Sequence, residues 1–402
     1  MIEKKVSTIF REQWSVPMTY KCGQLIEALR KDETTVVVPV VDDAGQPVGL
    51  IDKQAALVLA SNPLHYSVMQ NKSVRGLMMD KFTSFDENTT IDAVSAQLIE
   101  EGISLSQGGF LITRDGHYIG VGANTDTLNY LVEANTQRAH EMAELNEEMM
   151  DSVKYASRIQ TSLLPTTAQL QAHFNSMAVI WDPRDIVGGD VYWRSEDVGK
   201  SHFTVALIDC TGHGVPGALM SMLVISTLKR IYSETPDISP GTALATLGNL
   251  VRQALNQDRD DCESNDGFDA GVCKIDLEQK KVIFAGARTN CFVVPRDDEP
   301  VLRVPGEKLA LGYPGTVPYT PLEEFELSTD NYRLFTMASD GIFDQPGGPR
   351  RIAFGPKRFV ELVQANRNGN AQQMMQALAQ AATDWRGEEV RRDDLSAMAF
   401  IV

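Results

Sequence analysis

The sequence predicts an α+β protein built in three successive parts. Over residues 15–133, a strand–turn–strand–helix pattern occurs twice. A polar stretch over 127–164 contains no glycine and repeats apolar residues at alternating spacings of three and four. From Asn175 to Val402, β-rich runs are separated by helical segments without strict alternation, which is typical of an α+β fold.

The composition is that of a globular protein with an acidic surface. The 402 residues carry a formal net charge of −17, and 43% of them are hydrophobic. At roughly 100–200 residues per domain, this length predicts two or three domains. Because nucleic acids and acidic membranes require a basic surface, the charge argues against both as partners. The five cysteines form no Cys-x-x-Cys pair, and no apolar run approaches the ~18 residues of a membrane span. We therefore expect a cytoplasmic protein with reduced thiols.

The repeated pattern occupies the N-terminal part. Its first copy, TTVVVPVVDDAGQPVGLIDKQAALVLA, predicts a strand, a turn at Asp43–Gly45, a second strand and a helix. The second copy, GGFLITRDGHYIGVGANTDTLNYLV, has the same order around a turn at Asp115–Gly116. An amphipathic helix precedes each copy, CGQLIEALRK and IDAVSAQLIEEG. Two such units predict a pseudo-twofold module whose halves bury their apolar faces pairwise.

This module resembles tandem CBS domains, which are regulatory. The matching segments are VPVVDDAGQPVGLID, SVRGLMMD and FLITRDGHYIGVGANTD. We interpret residues 1–126 as a CBS-like sensor. The nucleotide pattern of that family is Gly, then Thr or Ser three residues on, then Asp or Asn three further. The first copy has Gly49, Asp52 and Ala55, and the second has Gly120, Ala123 and Asp126. Each departs from the pattern, so the sequence names no ligand for the sensor.

The stretch 127–164 predicts a helical linker that forms a two-stranded coiled coil. Apolar residues with heptad-like spacing run along it: Leu128, Leu131, Met142, Leu145, Met149, Ala156, Ile159 and Leu163. Polar residues interrupt this seam at Asn135, Arg138 and Ser152, and they would set the register while weakening the coil. We therefore expect a homodimer that pairs through 127–164. The alternative is a single amphipathic helix that lies on its own domain.

Four aspartates in the C-terminal part stand at the ends of apolar strands or in the adjoining turns. They are Asp190 in VGGD, Asp209 in ALIDCTGHGVPG, Asp340 in FTMASDGIFD and Asp393 in RRDDLSAMAFIV. Carboxylates at strand ends can converge over one edge of a sheet, where they repel each other unless a hard cation neutralises them. Because neither a cysteine nor a histidine cluster accompanies them, we predict an oxygen-only site for Mg²⁺ or Mn²⁺ rather than for zinc.

Residues 165–402 resemble the metal-dependent serine/threonine protein phosphatases of the type 2C superfamily, in their bacterial sporulation and stress-response branch. The motifs that carry the resemblance are IVGGDVYW, IDCTGHGVPGALMSML, NDGFDAGVCKID, FAGARTN, LALGY, ASDGIFDQ and RRDDLSAMAF. They occur in the order expected for that family. The resemblance implies layered β-sheets flanked by helices, in the order α-β-β-α.

For the chemistry, the resemblance implies two divalent ions, Mn²⁺ or Mg²⁺. The four aspartates would hold them, with Asp209 as the bridging ligand, and the backbone carbonyl of Cys210 would bind one ion. Asp393 is expected to be a ligand rather than its neighbour Asp394. A water activated by the two ions would hydrolyse a phosphoserine or phosphothreonine protein. By analogy with the family, that substrate is a STAS-type anti-sigma-factor antagonist.

Other side chains in these motifs have more than one possible role. His213 either assists proton transfer to the leaving serine or serves the start of the following helix. Asp269 and Asp344 are candidate outer acids or ligands of a third ion. The thiol of Cys210 is not expected to act as a nucleophile, because its carbonyl is the useful group.

Two interpretations other than a phosphatase are compatible with parts of this sequence. GGDVYW shares its Gly-Gly-Asp with a nucleotide cyclase turn, but that chemistry requires a second acid where Val191 stands. The main alternative is a non-catalytic signalling scaffold that binds a partner through the phosphatase fold. Retention of all four acids argues against the scaffold, so we expect a phosphatase regulated by its N-terminal sensor.

Overall fold

The computed structural model describes residues 4–105, 108–197, 201–259, 262 and 264–402. The chain divides into two compact units, an N-terminal unit (Met1–Asn146) and a C-terminal unit (Glu147–Val402). Among the described helices, none is both long and apolar enough to cross a membrane.

The N-terminal unit contains two copies of one arrangement. The first copy consists of β1 (Val16–Pro17), α1 (Cys22–Lys31), β2 (Val37–Val41), β3 (Pro47–Asp52), α2 (Lys53–Ser61) and α3 (Pro63–Met69). The second consists of β4 (Ser84–Asp86), α4 (Ile91–Glu100), β5 (Gly109–Arg114), β6 (His117–Ala123) and the start of α5 (Asn124–Leu163). Each copy forms a three-stranded sheet in which a parallel pair is followed by an antiparallel one. The predicted repeat is therefore present.

Each repeat buries an apolar helix face against its sheet. In the first copy, Leu25, Ile26 and Leu29 of α1 are buried together with Val38 and Val40 of β2. This follows from the period of 3.6 residues on the helix and of two on the strand.

The acids at the pattern positions of the two repeats have structural partners. Asp52 caps α2 by accepting a hydrogen bond of 2.8 Å from the backbone N–H of Ala55. Asp126 forms an ion pair of 2.8 Å with Arg11.

Helix α5 is one uninterrupted helix of 40 residues. It begins as the closing helix of the second repeat and continues through the stretch predicted as a separate linker, because no glycine or proline stands between 124 and 163. Its middle is exposed: the exposed fractions of Met142, Leu145 and Met149 are 64%, 63% and 58%.

The C-terminal unit begins within α5 and contains runs of consecutive strands separated by helices. Its further elements up to the middle of the unit are α6 (Thr167–Gln171), β7 (Ser176–Asp182), β8 (Val191–Arg194), β9 (His202–Cys210), α7 (Gly214–Glu234), α8 (Pro240–Ala254), β10 (Phe268–Asp276), β11 (Lys281–Ala287) and β12 (Cys291–Pro295). The rest are β13 (Leu302–Val304), β14 (Phe325–Ser328), β15 (Tyr332–Ala338), α9 (Asp340–Phe343), β16 (Pro346–Gly347), β17 (Ile352–Ala353), α10 (Gly355–Ala365), α11 (Ala371–Arg386) and β18 (Leu395–Ile401).

Two five-stranded sheets form the centre of this unit. The first has the order β14-β11-β10-β9-β8 and the second β13-β12-β15-β18-β7. Phe203 and Phe284 of the first sheet are buried with Phe335 and Phe400 of the second. Helices α7 and α8 pack on the first sheet, and α10 and α11 pack on the second. The predicted α-β-β-α layering is confirmed.

The secondary structure differs from the prediction in two places. The run YRLFTMASDGIF (332–343) predicts one strand, but this strand ends at Ala338, and Asp340–Phe343 form α9. A Cβ at Gly341 would lie 1.9 Å from the carbonyl oxygen of Asp394, so the chain passes too close to a neighbouring segment to accept a side chain there. Helix α10 was not predicted, although Phe359 and Val363 form a buried i, i+4 pair on it.

Candidate metal centre

The four predicted aspartates come from both central sheets. Asp190 immediately precedes β8, and Asp209 is the penultimate residue of β9. Asp340 opens α9 after β15, and Asp393 lies two residues before β18. Asp190 is only 2% exposed, whereas Asp340 and Asp393 are exposed at the rim. Each acid thus lies at or next to the end of a strand, and the apolar residues of that strand place the strand in the core.

Asp209 is the carboxyl group around which the others gather. It lies within hydrogen-bonding reach of the carboxyl groups of Asp190 and Asp340. Burial raises the pKa of Asp209 well above its ordinary value, and the charges of Asp190, Asp340 and Asp393 add to this rise. Burial likewise raises the pKa of Asp190 to about 7. These acids disfavour one another as carboxylates, and a cation would relieve that repulsion.

The donor set fits a hard cation. Asp190 Oδ2 is buried and accepts no hydrogen bond of good geometry from the described residues, which is costly unless another group satisfies it. The hydroxyl groups of Ser339 and Ser396 lie close to this carboxyl group and lower its pKa, against the larger effect of burial. A Cβ at Gly189 would lie 2.5 Å from the carbonyl oxygen of Cys210, so glycine lets these two segments approach. Within the described part of the chain, no three His, Cys, Asp or Glu side chains are arranged so that they could hold a metal ion together. The acids meet in pairs around Asp209, and their oxygens are of the kind that Mg²⁺ and Mn²⁺ prefer.

Asp394 holds the loop that carries Asp190. It is 2% exposed, and its Oδ1 accepts a hydrogen bond of 2.6 Å from the backbone N–H of Arg184. Its Oδ2 accepts from the backbone N–H of Gly189 at 2.5 Å and of Asp190 at 3.3 Å. Both oxygens are therefore occupied by backbone donors. Asp393, in contrast, uses one oxygen to accept from the N–H of Asp394 at 2.8 Å and is otherwise exposed.

Gln160 holds the same loop from helix α5. It is fully buried, and its Nε2 donates to the carbonyl oxygen of Gly188 at 2.6 Å and to Ser221 Oγ at 2.8 Å. Its Oε1 accepts from the backbone N–H of Gly188 at 3.4 Å. The last turns of α5 are thus bonded directly to the loop 187–190.

His213 pairs with Asp185 at the surface of the site. His213 Nδ1 and Asp185 Oδ2 are 2.8 Å apart, and both side chains are about half exposed, at 46% and 48%. His213 occupies the residue before α7, but its side chain makes no capping hydrogen bond to that helix. The pairing with Asp185 therefore engages Nδ1 of the His213 ring, and Nε2 does not cap α7.

Asp269 and Asp344 lie beside the four aspartates. Asp269 is directly opposite Asp209 in the antiparallel pairing of β10 with β9, and burial raises its pKa to about 6. Asp344 follows α9 and is exposed. Desolvation is the main cause that raises the pKa of Asp340, and the charge of Asp344 raises it further.

Known proteins share the fold of the C-terminal unit. The family model for stage II sporulation protein E (SpoIIE) matches residues 199–402, just over half of the 402 residues. The chain belongs to the SpoIIE family. No curated protein sequence matches it.

Solved structures agree with this assignment. The SiaA-PP2C domain of Pseudomonas aeruginosa is 28% identical to this SpoIIE-family chain, with a TM-score of 0.57, over 65% of this chain and 99% of that one. The PP2C phosphatase domain and regulatory fragment of SpoIIE from Bacillus subtilis matches at 18% identity and a TM-score of 0.45, over 56% and 63%. CBS domains of a transcriptional regulator from Streptococcus pneumoniae match at 17% identity and a TM-score of 0.26, over 31% and 98%. The resemblance predicted for residues 165–402 is thus confirmed by the SpoIIE family model and by the SiaA-PP2C domain.

Sequence reasoning missed three residues of this SpoIIE-family site. Asp394 was set aside because only one acid of the pair was expected to bind metal. Asp185 and Gln160 were not singled out, because each acts on a segment far along the chain. The available signal for Asp394 was its position directly before the apolar run LSAMAFIV, which predicts a buried carboxylate in need of donors.

The Cys210 thiol offers a direct check on how this residue acts. The side chain is 4% exposed, and burial, followed by the charge of Asp209, raises the pKa of its thiol well above the ordinary value. We expect Cys210→Ala to keep its kcat within about threefold, because the predicted site uses the backbone carbonyl and not the thiol. Steady-state kinetics of phosphate-ester hydrolysis, with Cys22→Ala as a control for removal of a buried thiol, would measure this. A loss of about 10³-fold, typical of removing a key catalytic group, would instead indicate thiol chemistry.

Proposed function

We propose that this SpoIIE-family protein is a metal-dependent phosphatase that hydrolyses phosphoserine or phosphothreonine in a protein. The observation that carries the proposal is the group of mutually repelling carboxylates around Asp209, in which Asp190 is buried and one of its oxygens has no hydrogen-bond partner among the described residues. Membership of the SpoIIE family and similarity to a PP2C domain support the same reaction class.

The residues that would hold two divalent ions are those predicted from the sequence. Asp209 would be shared between the ions, and Asp190, Asp340, Asp393 and the carbonyl of Cys210 would complete their ligands. Mn²⁺ or Mg²⁺ would supply a water nucleophile at neutral pH and would stabilise negative charge on the phosphoryl oxygens.

The protein's own groups would orient these ligands and assist the leaving group. Asp394 and Gln160 fix the loop of Asp190 through its backbone N–H and C=O groups. Asp185 holds the His213 ring, and a ring so held is suited to giving a proton to the leaving serine or threonine oxygen. For the substrate, the family resemblance favours a STAS-type anti-sigma-factor antagonist.

We also propose that the N-terminal unit regulates the phosphatase through a homodimer formed by α5. The apolar seam of this helix is exposed over its middle, and burying a side chain of this size contributes about 1.5–3 kcal/mol. A second copy of the same helix offers a matching seam, as in a two-stranded coiled coil. Asn135, Arg138 and Ser152 would keep the pairing weak enough to respond to the sensor.

Polar substitution of the seam tests this dimer. We expect the double variant Leu145→Gln with Met149→Gln to be largely monomeric at micromolar concentration and to have altered phosphatase activity, because two buried apolar contacts per chain are lost. Size-exclusion chromatography with light scattering would measure the mass, and a parallel assay the activity. Glu144→Gln with Glu148→Gln, on the adjacent exposed face, is the matched control. A monomeric wild-type protein, or unchanged activity in the seam variant, would contradict the proposal.

The phosphatase itself is tested with purified protein and a phosphoserine peptide. Release of phosphate should require added Mn²⁺ or Mg²⁺ and should stop when a chelator is added. Hydrolysis that persists in excess chelator would exclude the proposed reaction.

A further inference from the structure

The turn after β11 holds Arg288 in a fixed and unusual conformation. Arg288 has φ 54°, a left-handed value that non-glycine residues adopt at a cost of about 1 kcal/mol or more. Its backbone N–H donates to the carbonyl oxygen of Glu307 at 2.7 Å, and the N–H of Thr289 donates to that of Ala287 at 2.7 Å. Gly286 allows this close turn, since a Cβ there would lie 2.2 Å from the carbonyl oxygen of Thr289. Surrounding hydrogen bonds thus fix where the side chain of Arg288 begins.

This position is next to the metal centre. Arg288 forms a backbone bridge with Ala270, the neighbour of Asp269, and Asp269 faces Asp209 on the next strand. Burial raises the pKa of Asp269 to about 6, and the charge of Arg288 opposes that rise. Desolvation raises the pKa of Asp340, and Arg288 opposes this rise as well. The guanidinium is therefore close enough to act on acids from both sheets.

The Arg288 side chain is also free to bind a ligand. It is exposed, and it makes neither a hydrogen bond nor an ion pair with any described residue. Two other arginines near the site are engaged: Arg184 donates to the carbonyl oxygen of Arg392, and Arg391 pairs with Asp182. The exposed Arg392 acts by its charge on Glu389, whose pKa it helps to lower. A guanidinium that lies beside an acidic centre, without forming an ion pair, is available to an anion that enters that centre.

We propose that Arg288 binds the non-bridging oxygens of the phosphoryl group in the substrate and in the phosphate product, an inference that rests on the proposed phosphatase function. The planar guanidinium presents paired N–H donors that match phosphate oxygens, and such charge-assisted hydrogen bonds are among the strongest in proteins. Arg288 also brings positive charge to a site where the carboxylates would otherwise repel a phosphate dianion.

The test compares wild-type protein with Arg288→Ala and Arg288→Lys in the presence of Mn²⁺. Three probes are used: p-nitrophenyl phosphate, a phosphoserine peptide, and inorganic phosphate as product inhibitor and as calorimetric ligand. For Arg288→Ala we expect KM for both esters, and Ki and Kd for inorganic phosphate, to rise about tenfold to a hundredfold. Arg288→Lys keeps the positive charge but lacks the paired N–H donors of the guanidinium, so its KM, Ki and Kd should fall between those of wild type and Arg288→Ala. Arg303→Ala, which removes an exposed arginine on the neighbouring β13, should match wild type within about twofold.

Several outcomes would overturn this role. An unchanged Kd for inorganic phosphate in Arg288→Ala would do so, and so would an effect on the peptide alone, which would indicate contacts outside the phosphoryl group. If Arg288→Ala changes the Mn²⁺ concentration needed for activity but not the binding of phosphate, Arg288 instead acts on the pKa values of the neighbouring acids. If Arg288→Ala does not fold, Arg288→Lys with wild-type phosphate affinity is the contradicting result. Wild-type protein that hydrolyses neither ester would refute the proposed function itself, whereas active wild type with an equal Arg288→Ala refutes only this inference.

Discussion

Asp209→Ala is expected to lower kcat/KM for phosphoserine peptide hydrolysis by at least about 10³-fold, because several kcal/mol of transition-state stabilisation depend on the metal centre. The charges of Asp190, Asp340 and Asp393 all act on Asp209, and its loss removes the ligand that we propose both ions share. The affinity for Mn²⁺ should fall together with the activity. A calorimetric Mn²⁺ titration would measure the affinity, and peptide hydrolysis would measure the activity.

The same substitution should not destabilise the metal-free fold. It removes one member of a group whose charges repel, and the remaining acids then ionise more easily. Thermal unfolding in chelator should therefore give a melting temperature no lower than that of wild type. Asp384→Ala, which removes an exposed acid on α11, controls for the change in net charge. A folded Asp209→Ala protein with near-wild-type turnover in Mn²⁺ would refute the assignment of the site.

Gln160→Ala is expected to reduce activity or metal affinity by about tenfold to a hundredfold, as is typical when a group behind a metal ligand is removed. The substitution breaks the hydrogen bonds from Gln160 to Gly188 and Ser221. The buried carbonyl of Gly188 then loses its side-chain donor, and the loop that carries Asp190 is less firmly held. The Mn²⁺ concentration that gives half-maximal activity is the quantity to measure.

Gln137→Ala is the matched control for this experiment. It removes the same side chain from the same helix, but Gln137 is exposed, and among the described residues its side chain bonds only to Glu141 one turn further on. Its activity should equal that of wild type. If both variants show the wild-type metal requirement, the contact between α5 and the loop 187–190 has no part in holding the ligands.

The four aspartates were predictable because each is marked locally by an apolar strand and an adjoining glycine-containing or acidic turn. The strand period and the turn residues are properties of short segments, so they can be interpreted without knowledge of the fold. The same holds for the two β-hairpins of the N-terminal unit.

The groups that support the aspartates were not predictable in this way. Asp394 bonds to backbone N–H groups 204 to 210 residues away, and Gln160 bonds to a loop 28 residues away. Which of two adjacent acids points inward depends on the register of β18 between its neighbours, and that register follows from the packing of both sheets. The break after Ala338 likewise reflects the close approach of Gly341 to Asp394, a tertiary contact that strand propensity does not report.

The position of β18 sets the order of events during protein synthesis. This strand lies between β15 and β7, pairing with the latter at Met398 and Val179. Until residues 395–401 have left the ribosome, β7 therefore lacks its strand partner and β15 has one unpaired edge. Asp393 and Asp394 emerge at the same late moment. A nascent chain therefore holds its completed N-terminal unit and α5 well before it can assemble the metal centre, since domains made first generally fold first. The proposed phosphatase would accordingly become active only when the elements proposed to control it are already folded.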